Sequence, residues 1–104
     1  MDPINPEIEG GIDEDVQEIV KEPSMFKVLL LNDDYTTMEF VVEILITVFA
    51  KSLEAATEIM LNVHHKGIGV CGVYPLEIAE TKVETVHSLA KERGFPLRCT
   101  LEEV

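Results

Sequence analysis

The sequence predicts an α/β (α+β) domain in which a three-stranded antiparallel sheet packs against three helices, in the order β-α-α-β-α-β. Three observations predict it. Short apolar, β-prone runs stand at "MFKVLLLN", "GIGVCGVY" and "FPLRCTLEE". Apolar residues at helical spacing fill the intervals between them. About 80 residues carry the pattern, enough for one layer of sheet with helices on one face.

Residues 1–24 depart from that pattern. They hold three prolines, two glycines and eight acids against one lysine. Like charges at this density, with few bulky apolar groups, do not build a core. The stretch therefore reads as an acidic, flexible extension, and residues 25–104 as the core domain. Within the extension, "DEDVQEIVKE" puts Val16, Ile19 and Val20 on one side of a transient helical turn.

The first strand is expected at 25–31. Thr36 and Glu39 then have capping-box spacing, in which each side chain satisfies the other residue's backbone N–H. Met38, Val41, Val42, Leu45, Val48 and Phe49 follow as the apolar face of a first helix. Ser52 is the expected N-cap of a second, whose apolar face is Leu53, Ala56, Ile59, Met60 and Val63. Gly67 ends it. The second strand is rich in small residues. Pro75 suits the first turn of a third helix, with Ala79, Val83, Val86 and Ala90 inward and Gly94 as the stop.

Charge and composition narrow the function. The net charge is -12, which excludes nucleic acid as a direct partner, because phosphate binding needs a basic patch. No apolar run approaches the roughly 20 residues of a membrane span. No basic segment leading into an apolar one opens the chain, so no secretory signal is expected and the expected location is the cytoplasm. Cys71 and Cys99 sit in apolar contexts and read as buried thiols of a reducing compartment.

The stretch "VLLLNDDYTTMEF" carries the main candidate site. Asp33 and Asp34 lie between a strand end and a helix start, where adjacent carboxylates repel and resist burial. Turn chemistry is one reading, since Asn and Asp bond their own backbone. A metal site is another, but His64, His65, Cys71 and Cys99 have none of the usual ligand spacings. Acid–base hydrolysis lacks a nucleophile elbow or a phosphate cradle. Cation recognition is the fourth. Asn32, Asp33 and a neutral histidine supply acceptors suited to an ammonium, which has three donors and no acceptor. Met38, Val41, Met60 and Val63 stand nearby as an apolar wall or as core. His64 is four residues after Met60 and shares its helix face, so His64 rather than His65 is the candidate partner.

The pieces "VLLLNDDYTTMEFV", "IMLNVHHKGIGVCGVY", "EIAETKV" and "PLRCTLE" resemble the ClpS family, the bacterial adaptors of N-end-rule degradation, over about residues 23–104. The resemblance implies a monomeric adaptor without catalysis, cofactor or metal. It implies binding of proteins that begin with Leu, Phe, Tyr or Trp, and their delivery to a ClpA-type AAA+ unfoldase that feeds ClpP. Asn32, Asp33 and His64 would hold the substrate's α-amino group, partly through water. Thr36, Met38, Val41, Met60, Val63 and Leu97 would line the side-chain pocket, with Met38 as the gate against β-branched residues. Glu77, Thr81 and Lys82 match the family's surface toward the unfoldase. The acidic extension would serve delivery. An alternative is an acidic interaction module that regulates an unfoldase without a small pocket. Where the family commonly has "TPME" this chain has "TTME", so Thr37 lacks the φ restraint of a proline at the first helical position.

Overall fold

The computed structural model describes residues 23–104. The expected acidic extension lies outside them except for Pro23 and Ser24. The elements are β1 (Met25–Leu31), α1 (Met38–Thr47), α2 (Leu53–Lys66), β2 (Ile68–Pro75), α3 (Leu76–Arg93) and β3 (Arg98–Glu103). The order is the β-α-α-β-α-β expected. The sheet is antiparallel with strand order β2-β1-β3, so the most apolar strand is central.

Val28 and Leu30 of β1 are fully buried in a core with Phe40, Ile44 and Leu45 of α1, Ala56 and Val63 of α2, and Ala79, Val86 and Ala90 of α3. α3 packs across all three strands, while α2 packs on α1 and β2. Small residues make the second contact possible. A Cβ on Gly69 would fall 2.6 Å from a Val63 methyl, so a larger residue there would push β2 and α2 apart. The β1–β2 register shifts between Val28 and Leu29, whose partners are Gly72 and Val70, and Cys71 is the extra residue of this bulge. Cys71 and Cys99 are free, buried thiols.

Several boundaries correct the sequence reading. The N-cap of α1 is Thr37, not Thr36: Thr37 Oγ1 accepts the Phe40 N–H at 3.2 Å. Thr37 therefore stands outside the helix and supplies a bond that proline has no side chain to make. α1 ends at Thr47, so Val48 and Phe49 follow the helix, and Phe49 still enters the core. Ala50 adopts a left-handed φ of 57°, which turns the chain toward α2. Pro75 is the N-cap residue of α3 rather than its first turn. Leu53, expected on the apolar face of α2, is 65% exposed. Ser52 and the two glycines stand as expected. Ser52 Oγ accepts the Ala55 N–H at 3.1 Å, and Gly67 and Gly94 close α2 and α3 with φ of 87° and 78°.

β3 is an edge strand, and its outer side is not bare. The Cys99 N–H donates to His87 Nε2 of α3 at 3.0 Å. An edge amide that would otherwise be a template for another strand is thus satisfied by a side chain. Among the described residues no helix is long and apolar enough to cross a membrane.

Candidate functional site: an acceptor-lined pocket at the end of β1

β1 ends at Leu31 and delivers Asn32 and Asp33 to the mouth of a cleft between α1 and α2. The position is set by the backbone: the Asn32 N–H donates to the Gly67 carbonyl at 3.0 Å, tying the end of β1 to the end of α2. Asp33 then folds the following loop around itself. Its Oδ1 accepts the backbone N–H groups of Tyr35 at 2.8 Å and Thr36 at 2.7 Å. Its Oδ2 accepts the Thr36 hydroxyl at 2.8 Å. A carboxylate has about four lone-pair sites, so one acceptor position remains, on Oδ2. Burial pushes the Asp33 carboxyl up, but the bonds from Thr36 and Tyr35 together outweigh it and hold it below its ordinary value. Asp33 is therefore a fixed anion at neutral pH.

The resulting cavity, about 270 Å³, is lined by Asn32, Asp33, Asp34, Thr36, Met38, Val41, Met60, Val63 and His64. One corner is polar and the opposite wall is apolar. Val41 and Val63 are buried, Met60 is half-buried, and Met38 at the rim is 43% exposed. No described lysine or arginine pairs with Asp33 or Asp34; the described ion pair is Arg93 with Glu43, at 2.7 Å. The site presents a negative corner that no described lysine or arginine neutralises. Among the described residues, no group of three His, Cys, Asp or Glu side chains is placed to hold a metal ion.

Eight of the nine residues expected at the amine site and side-chain pocket come together here. The exception is Leu97, which is 2% exposed, belongs to the core and borders a different cleft beside α3. Asp34 is the addition: it lines the cavity, whereas the sequence left its role open, with turn chemistry as one reading. Its adjacency to Asp33 was the available signal. His64 is on the cavity and His65 is not, as the helix geometry required. On α3, Glu77 and Thr81 are exposed. Lys82 is engaged internally: its Nζ donates to the Val48 carbonyl at 2.9 Å and lies 5.2 Å from the Tyr74 ring centroid.

An anionic, half-apolar cavity on a small sheet-and-helix fold has the anatomy of a small recognition module. Comparison with known proteins places it further. The family model described as ATP-dependent Clp protease adaptor protein ClpS matches residues 21–100. The ATP-dependent Clp protease adapter protein ClpS of Lawsonia intracellularis is 62% identical over 98 residues, covering 94% of this chain and 90% of that one. Its counterpart in Nitratidesulfovibrio vulgaris is 61% identical over 98 residues, covering 92% and 98%. A solved structure, Agrobacterium tumefaciens ClpS2 bound to L-phenylalaninamide, superposes with a TM-score of 0.77 at 43% identity, covering 80% of this chain and all of that one. The chain belongs to the ClpS family. It is an adaptor of the Clp protease, not an enzyme.

Proposed function

We propose that this protein binds the free first residue of substrates beginning with Leu, Phe, Tyr or Trp, and delivers them to a ClpA-type AAA+ unfoldase for degradation by ClpP. The observation that carries the reading is a cavity in which a fixed carboxylate, without an ion-pair partner among the described residues, faces an apolar wall. An α-amine in a model peptide has a pKa of about 7.7–8.0, so it is largely cationic at neutral pH. Its three donors find acceptors at Asp33 Oδ2, Asn32 and His64. These charge-assisted bonds discriminate against an acylated terminus, which has lost the charge and most of its donors. The first side chain enters between Met38, Val41, Met60 and Val63, where burying a Leu or Phe contributes roughly 1.5–3 kcal/mol. Neither contribution alone gives tight binding, so amine and side chain are read together.

The ligand of Agrobacterium ClpS2 supports this reading, since phenylalaninamide joins a free amine to a benzyl side chain. Thr36 takes part through Asp33, whose Oδ2 it bonds, as much as through the pocket wall. Leu97 supports the fold beside the pocket. Glu77 and Thr81 form the exposed surface offered to the unfoldase, and Lys82 shapes it by bracing α3 against the end of α1. The extension over 1–24 serves delivery. Calorimetric titration with a Leu- or Phe-initiated peptide and its N-acetylated form tests the binding step. Binding of the free form alone is expected; equal affinity for both removes the reading.

A further inference from the structure

We infer that Met38 is a modification site, at which oxidation of the thioether to the sulfoxide turns off recognition of the substrate's first side chain. The inference rests on the pocket proposed above. The described sulfur-bearing side chains differ in how far solvent reaches them. Cys71 and Cys99 are buried, and Met60 is half-buried. Met25 and Met38 are exposed, at 36% and 43%. A dissolved oxidant therefore meets Met25 and Met38 first. Their surroundings separate them. Met38 lines the cavity together with Val41, Met60 and Val63. Met25 stands at the other end of β1, pairs with Pro75 and is on no wall of that cavity.

Hydrogen peroxide is a sufficient oxidant. The Met38 sulfur attacks one peroxide oxygen, the S–O bond forms, the O–O bond breaks and water leaves, so sulfur gives up two electrons and the peroxide takes them. The product replaces a flexible apolar group by a polar, chiral one. In the empty pocket the new oxygen is hydrated. When a Leu or Phe side chain enters, that oxygen loses water beside Val41 and Val63, which are buried and whose side chains donate no hydrogen bond. The polar corner does not relieve it. The Asp33 and Asp34 carboxylates only accept, and the Thr36 hydroxyl already donates to Asp33. The donors left are on Asn32 and His64, the residues assigned to the amine, so a sulfoxide bonded to them competes with the substrate. The change is reversible: two thiols of a sulfoxide reductase return the thioether, with a disulfide and water as products.

The test treats the full chain with graded hydrogen peroxide, removes the oxidant, and assigns each methionine by peptide mass mapping. A Leu-initiated peptide is then titrated by calorimetry. Affinity is expected to fall roughly fivefold or more once Met38 is fully oxidised, the scale on which an unpaired polar group resists burial. The loss should track the fraction of Met38 sulfoxide rather than that of Met25 or Met60, and stereospecific methionine sulfoxide reductases should restore binding. Met38→Leu, compared with its own untreated form, should keep its affinity through the same treatment, whereas Met25→Leu should lose it as the parent does. Four outcomes overturn the inference: resistance of Met38 to doses that oxidise Met25, unchanged affinity with Met38 oxidised, a loss that follows another methionine, or a loss that persists in Met38→Leu. The graded dose on the parent decides the matter even where Met38→Leu binds poorly. An untreated chain that binds the free peptide and not its acetylated form keeps the amine reading whatever the oxidised samples do. If the untreated chain does not bind the free peptide, that reading falls and takes this one with it.

Discussion

Single residues divide the pocket's work. Asp33 holds the loop and supplies the charge, so its substitution should act twice. Asp33→Asn is expected to weaken free-amine peptides at least tenfold in titration, and to destabilise the fold by about 1–2 kcal/mol, since bonds to a charged acceptor are the stronger kind. The pH dependence follows from the sign of its shift. A carboxyl held low when folded stabilises the protein above its unfolded value near 3.9, and that contribution is lost as pH falls through the folded value. Denaturant midpoints measured between pH 6 and 2 should fall less steeply in Asp33→Asn. Met38 lines the cavity at its exposed rim; if it sets the width as proposed, Met38→Ala is expected to admit Ile- and Val-initiated peptides that bind the parent weakly, measured in a peptide panel. The thiols are inert by contrast. Burial pushes Cys71 up to about 12 and Cys99 to about 11, so neither is a thiolate at neutral pH. A thiol reagent should label both only after denaturation.

At the scale of elements, the helix caps decide whether the pocket keeps its shape. Gly67 ends α2 in the left-handed region, and its carbonyl receives the Asn32 N–H. A Cβ there meets nothing within 4 Å, so Gly67→Ala carries only the backbone cost of about 1–2 kcal/mol. The expected outcome is a lower melting temperature together with weaker peptide binding, because relaxing that turn moves Asn32. The cap of α1 shows where sequence reading slipped. "TTM" offers two hydroxyls one position apart, and spacing alone does not say which one faces the helix N–H groups. Asp33 settles it by claiming the Thr36 hydroxyl, which leaves Thr37 as the cap. Lys82 and Leu97 escaped for a related reason. A long side chain's destination depends on what the fold places within its reach, here the Val48 carbonyl and the Tyr74 ring for Lys82.

For the whole molecule, element order, sheet type and most of the pocket were legible, because apolar spacing and glycine stops are local signals that agree with one another. The Cys71 bulge and the β2-β1-β3 neighbour order were not, since both depend on pairing between distant segments. The proposed function makes recognition and delivery separable at this scale. Every residue that lines the amine pocket lies within 32–64. Removing residues 1–22 should therefore leave peptide affinity unchanged while slowing degradation of a Leu-initiated reporter by the unfoldase and peptidase. Loss of peptide binding on this deletion would show that the extension belongs to the pocket.

The three bonds that converge on Asp33 have a practical consequence. The backbone amides of Tyr35 and Thr36 share an oxygen atom's carboxylate with any ammonium that arrives at Oδ2. When a cation draws electron density toward itself, those two N–H groups must lengthen their bonds. Their NMR chemical shifts and solvent-exchange rates are thus a built-in occupancy gauge. Two backbone resonances would report an unlabelled ligand directly, and in Asp33→Asn they would fall silent.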